Sequence, residues 1–252
     1  MRLERGTRRS RPLGVWHSLR NPTAQDNVPA PMADNILCIF DLDGTLYRTE
    51  TSFVPTMRRV YEEFDLTYPG DAKILSLVGE TYTTFLKWLV SEGFPVDVPA
   101  LGERITEIEI TSIERHGELF PDVEDTLVAL RGLGCSIALC TNGDMRYATY
   151  VLGTRGILAQ FDVLKTNDDD QQSKTQMVAS LLSEMKPAVS FMVGDRYHDV
   201  QAGNENGCVT VAAGYGYGSR SELEPATHRI DRLADLLPLV RAQMQVKVSP
   251  AP

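Results

Sequence analysis

The sequence lacks any long apolar run. Its apolar stretches, such as residues 36–40 and 137–140, are far shorter than the roughly 20 residues that cross a bilayer. No membrane helix and no membrane partner is expected. An excess of positive charge is missing as well. The net charge of −9 argues against a broad nucleic-acid-binding face. It leaves anionic substrates open, because a bound metal ion inverts the local field. Cysteine is scarce: Cys38, Cys135, Cys140 and Cys208 show no CxxC or other metal-ligand spacing. Cys38 and Cys140 sit in apolar strand-like runs and read as small buried hydrophobes. That fits a reducing, cytoplasmic setting. No internal repeat is present. The length suits one large domain or a core carrying an insert.

Residues 1–34 are set apart by Arg and then by Pro, Asn and Ala, with no apolar periodicity. A secretory signal needs an apolar stretch of about 7–15 residues, and Gly14, His17 and Ser18 interrupt the nearest one. The segment reads as a disordered tail or as sequence upstream of a true start at Met32. A transit peptide is the functional alternative, given the Arg content and few acids. Residues 244–252 read as a flexible end.

What is present is a set of short, continuous apolar runs at 36–40, 136–140, 161–165, 189–193 and 208–212. Such runs are the mark of parallel strands buried on both faces. Helical patterns separate them, at 125–133, 175–185 and 199–206, the last closed by Gly207. The alternation predicts an α/β fold, a doubly wound Rossmann-like parallel sheet. One stretch breaks it. Residues 54–64, 72–89 and 98–116 are helical in pattern with no strand between them. About 70 residues exceed what a crossover needs. The expectation is therefore a core of 35–47 and 118–243 with a helical cap, 48–117, inserted after the first strand.

Two pairs of acids stand where apolar runs end. Asp41 and Asp43 follow the first run, with Gly44 allowing a tight turn. A turn or a cap needs one such acid, and a repulsive pair points to a cation or to proton transfer. Asp195 and Asp199 follow the 189–193 run, the second pair on a helix start where they could also act as caps. Ligands of open α/β sheets bind outside the carboxyl ends of the strands. Four acids at that edge make an oxygen-rich site suited to Mg²⁺. Thr141 and Asn142 follow the 136–140 run and could hold phosphate oxygens. Lys174 stands at a helix start, unfavourable for the helix dipole, which a binding role would explain. The 214–218 loop is Gly-rich but lacks GxGxxG spacing and reads as a tight loop beside the site. His198 is expected to face solvent or cap its helix. Residues 168–170 are three Asp in a row, read as a solvated loop, and Arg58, Lys87 and Trp88 as surface residues.

The order and placement of these motifs resemble the haloacid dehalogenase-like hydrolase superfamily over residues 36–212. The first motif, hhhhDxDGT, is present at 36–45. The second, a strand-ending hydroxyl, is Thr141, the third is Lys174, and the fourth, GDxxxD, spans 194–199. The insert is similar to that family's first cap type, and 194–217 is similar to its phosphoglycolate phosphatase-like members. The resemblance implies a phosphatase acting on a small phosphorylated metabolite, as a monomer or homodimer. In it Asp41 is the nucleophile and Asp43 the general acid and base. Mg²⁺ is held by Asp41, the Asp43 carbonyl, Asp195 and Asp199, and the phosphoryl oxygens are held by Thr141, Asn142 and Lys174. Dehalogenases of the superfamily also use a nucleophilic Asp but need no acid two residues on, so Asp43 argues for phosphoryl transfer. A sugar-phosphate mutase shares all four motifs and remains the alternative, alongside a non-catalytic phosphate-binding module.

Overall fold

The computed structural model describes residues 35–94, 97–168 and 171–246. The expected N-terminal tail, Asp169 and Asp170 lie outside the described residues. Six strands are formed: β1 (Ile36–Phe40), β2 (Ser136–Cys140), β3 (Val163–Lys165), β4 (Val189–Gly194), β5 (Val209–Ala213) and β6 (His228–Ile230). They lie in the order β3-β2-β1-β4-β5-β6, and every pairing is parallel. This is the doubly wound arrangement, and its order reverses between β1 and β4. The crevice outside those two strand ends is where such sheets take ligands.

The helices are α1 (Glu50–Glu63), α2 (Asp71–Leu75), α3 (Tyr82–Ser91), α4 (Val98–His116), α5 (Val123–Gly132), α6 (Met145–Thr154), α7 (Lys174–Met185), α8 (Tyr197–Glu205), α9 (Arg220–Leu223) and α10 (Leu236–Val246). Strand β1 is buried along its whole length. Ile36, Cys38 and Phe40 pack into a cluster with Leu127, Leu130 and Val151, while Leu37 and Ile39 face Met177, Val178 and Leu181. The continuous apolar run follows from these two covered faces. All four cysteines are buried and unpaired.

Helices α1 to α4 follow β1 and form the cap. They carry a core of their own, in which Met57, Val60, Tyr61, Phe85, Leu89 and Ile105 meet. Each such side chain adds about 1.5–3 kcal/mol of burial, which gives the insert its own cohesion. Two strips join it to the core: Arg48 N donates to Glu118 O at 2.9 Å, and Phe120 N donates to Leu46 O at 3.0 Å.

The boundaries differ from the sequence reading in several places. The expected helix over 72–89 is broken into α2 and α3, because Gly79 adopts a positive φ of 86° and Thr81 caps α3 through Thr84 N. Helices α7 and α8 begin earlier, at Lys174 and Tyr197, since Ser173 supplies a full capping box with Gln176. Strand β6 has only three residues and no apolar run to mark it. The C-terminal helix continues to Val246, so residues 244–246, expected in the flexible end, are helical.

Candidate active site

Asp41 leaves β1 at its carboxyl end, its amide donating to Val193 O of the neighbouring β4 at 2.9 Å. It is 2 % exposed. Its Oδ1 accepts from Lys174 Nζ at 2.6 Å, while its Oδ2 is buried and has no hydrogen-bond partner. Lys174 reaches the site from the first position of α7, and the same Nζ donates to Asp199 Oδ1 at 2.6 Å. Burial alone would lower the Lys174 pKa. The Asp199 and Asp41 carboxylates outweigh it and hold the ammonium charged. The unfavourable start position that singled out Lys174 in sequence is thus answered by two anions. The other Asp199 oxygen accepts from Arg196 N at 3.0 Å.

Asp195 directly follows β4 and is fully buried. It accepts from Tyr217 N at 2.7 Å and from Thr45 Oγ1 at 3.4 Å. Gly44, at φ +78°, makes this possible: a Cβ there would run into the Asp195 carboxylate and the Tyr217 ring. The 214–218 loop therefore lies beside the site, as expected, with Gly216 also pressed against Asp195. Burial, then repulsion from Asp199, pushes the Asp195 carboxyl up to about 7. Burial likewise raises Asp41, helped by the three neighbouring acids and opposed by Lys174.

One oxygen from each of Asp41, Asp195 and Asp199 lies within 4.8 Å of the others. Three carboxylates that repel one another, an oxygen-only donor set and the orphaned Asp41 Oδ2 together fit a hard divalent cation. Asp43 stands apart from this triad. It is half-buried, and its Oδ1 accepts from Thr49 Oγ1 at 2.7 Å and from Tyr147 OH at 2.6 Å. Burial raises its pKa, and these two hydroxyls pull it back.

Thr141 follows β2, buried, with its Oγ1 accepting from Gly143 N at 3.2 Å. Asn142 is also buried, but its side-chain amide is engaged: it donates to Gly79 O of the cap at 2.9 Å. Arg196 adds a second tie across the same seam. Its guanidinium bonds Val78 O, pairs with Glu222 at 3.2 Å and lies 3.7 Å from Glu80. His198 departs from expectation. It is half-buried against Tyr197, with Nε2 at 3.7 Å from Glu80, because the cap loop covers the face that would otherwise be solvated. Asp168 is exposed and caps the start of α6 through Met145 N at 2.8 Å. Arg58 pairs with Asp71 on the surface, and neither it nor Lys87 or Trp88 lines the site.

A cavity of about 420 Å³ opens from Asp41 and Asp43 toward the cap. Core residues Thr141, Asn142 and Tyr147 form its floor, and Phe53, Phe85, Ile105 and Glu109 of the cap line it from the other side. Thr49, Tyr147, Arg196 and Glu109 were not singled out in sequence. Arg196 at least lies inside the GDxxxD motif; the others carry no sequence signal of their own.

Residues 38–213 match the haloacid dehalogenase-like hydrolase family model. The chain belongs to that family. Among curated relatives of this haloacid dehalogenase-like hydrolase, a phosphoglycolate phosphatase from Salmonella paratyphi A is 30 % identical over 227 residues, covering 79 % of this chain and 90 % of that one. The pyrophosphatase PpaX of Bacillus mycoides is 29 % identical over 216 residues, covering 80 % and 95 %. Solved structures agree on the fold. A haloacid dehalogenase-like family hydrolase from Streptococcus pneumoniae superposes with a TM-score of 0.71 at 18 % identity, over 82 % of this chain and 98 % of its own. A β-phosphoglucomutase from Clostridium difficile does so at 0.67 and 16 %, over 84 % and 98 %. Among the described residues, no helix is long and apolar enough to cross a membrane.

Proposed function

We propose that this protein is a Mg²⁺-dependent phosphatase of small phosphomonoesters that works through an aspartyl-phosphate. The observation that carries the reading is the division of labour between two acids two residues apart. Asp41 is locked to Lys174 within a carboxylate triad, and Asp43 is held away from that triad by two hydroxyls.

Asp41 attacks the phosphorus, and the bond to the ester oxygen breaks. Asp43 gives its proton to the departing alkoxide, then takes one from the water that attacks the aspartyl-phosphate. Inorganic phosphate leaves and both carboxylates are restored. Lys174 and the Thr141 hydroxyl and amide neighbourhood hold phosphoryl oxygens as charge shifts across them. Asp41, Asp195, Asp199 and the Asp43 carbonyl would hold Mg²⁺. When bound, the ion neutralises the charge that two anions bring together. The two hydroxyls on Asp43 Oδ1 leave Oδ2 as the oxygen that carries the proton.

The family relatives named for phosphoglycolate and pyrophosphate support phosphoryl hydrolysis over dehalogenation. A phosphoglycolate-like ester is the substrate form the sequence resemblance implies. The test is turnover of p-nitrophenyl phosphate with Mg²⁺ and with chelator, reading free phosphate. Mg²⁺-dependent release is expected. Equal rates under both conditions would overturn the reading, and phosphate transfer to a sugar phosphate without release would make the protein a mutase.

A further inference from the structure

The cap's contribution to the cavity is unequal in charge. Glu109 lines it from the middle of α4, one turn from Ile105 and from Ile113, which line it too. The Glu109 side chain forms no hydrogen bond and no ion pair among the described residues. It stands close enough to Asp43 and Asp144 to feel both charges. Elsewhere around the cavity the acids are engaged: Asp144 caps α6 through Tyr147 N at 2.7 Å, and Glu80 faces Arg196 and His198. The one cation among the lining residues is Arg146, and it is solvent-exposed. Whatever its protonation state, Glu109 supplies no positive charge to a leaving group.

We infer that Glu109 sets the leaving-group specificity, selecting non-acidic alcohols that present a hydroxyl or ammonium donor and disfavouring phosphorylated acids. This rests on the phosphomonoesterase reading above and departs from the phosphoglycolate-like substrate that the sequence resemblance implies. At pH 9, where Glu109 is ionised, a carboxylate on the leaving group would meet its charge beside Asp43 in a cavity both line, and in a low-dielectric cavity that repulsion is far stronger than in water. A hydroxyl or ammonium there satisfies the one unpaired carboxyl. The volume of about 420 Å³ also exceeds what a two-carbon acid fills, so a polyol-sized leaving group fits.

The test uses the full chain with Mg²⁺ at pH 9 and two substrate pairs, each differing only by exchange of CH₂OH for COO⁻. These are ethylene glycol monophosphate against phosphoglycolate, and sorbitol 6-phosphate against 6-phosphogluconate. The expected result is a kcat/KM ratio of about tenfold or more in favour of the hydroxyl member in at least the larger pair. Glu109→Gln is expected to bring that ratio toward one, and Glu109→Lys to reverse it, with circular dichroism showing both variants folded. A wild-type preference for the acid, a preference that vanishes in Arg146→Ala, or a ratio unmoved by either Glu109 substitution would overturn the inference. Should the Lys variant not fold, the Gln variant alone decides. Absence of turnover on all four esters and on p-nitrophenyl phosphate would instead overturn the phosphatase reading itself.

Discussion

The core and the cap meet at one cavity but build their sides of it by different rules. Each core residue is delivered by a strand end or a helix start: Asp41 by β1, Thr141 by β2, Asp195 by β4, Lys174 and Asp199 by the first turns of α7 and α8. Each is then fixed by a partner at hydrogen-bond distance. The cap offers Phe53, Phe85, Ile105 and one unpaired acid from the faces of ordinary amphipathic helices. Chemistry held by rigid edges can be conserved in form while the opposite wall varies. On the proposed reading, reaction type and substrate choice are encoded in separate parts of this chain.

Changes on the core side should therefore cost the most. Asp41→Asn removes the proposed nucleophile and is expected to lower kcat by about 10⁴-fold or more, on the scale seen when nucleophiles are removed elsewhere. Because Lys174 would lose one of its two anions, thermal unfolding must show the variant folded. Near-normal phosphate release in a folded Asp41→Asn protein would end the division between core chemistry and cap selection. Asp43→Asn comes next, with an expected loss of roughly 10²–10⁴ in kcat, the range of general acid–base work. Its loss should be smaller for p-nitrophenyl phosphate, whose leaving group needs little protonation, than for an alkyl phosphate. Equal losses for both would remove the proton-transfer role.

Tyr147→Phe probes the seam between the two parts. Its hydroxyl is one of two donors on Asp43 Oδ1, and hydrogen bonds to charged groups are worth about 1.5–3 kcal/mol. Part of that is recovered by Thr49, so a kcat reduction of about tenfold is expected, with KM little changed. A rise in KM at constant kcat would instead make Tyr147 a substrate-binding residue.

How much was legible in sequence follows the same division. Strands β1, β2, β4 and β5 were readable because burial forces unbroken apolar runs, β3 was read from a run that begins two residues before it, and β6 was not read because its three residues carry no run. Asp41, Asp43, Asp195 and Asp199 were readable because two acids where one turn residue suffices call for another cause. Lys174 was readable because its helix position is electrostatically poor until its partners are seen. Thr49 and Tyr147 act only through a fold that brings residue 147 to residue 43, and nothing local marks them. Asn142 was expected at phosphate, and its side chain is engaged with Gly79 O; which backbone segment arrives there depends on how residues 78–80 pack over β2, a long-range matter. Glu109 looks like any polar residue on a helix until the opposite wall is in place.

The smallest effect separates Glu109 as a cap residue under electrostatic load from a residue that merely fills the surface of α4. Burial, then repulsion from Asp43 and from Asp144, pushes its carboxyl up to about 8. A carboxyl whose folded pKa lies above its unfolded value of about 4.3 binds more protons in the folded state across that window. Stability from this group is thus present at low pH and falls as pH rises toward 8, flattening once the carboxyl is ionised in both states. Glu109→Gln cannot titrate and should escape that decline. The variant is expected to gain on wild type as pH rises from 5 to 9, by roughly 1–3 kcal/mol after allowance for solvent in the cavity. Urea unfolding at both pH values, in chelator so that metal binding does not enter, measures the difference. A gap between the two proteins that stays constant with pH would place Glu109 in ordinary solvent, and its wall of the cavity would then be no more selective than the rest of the cap.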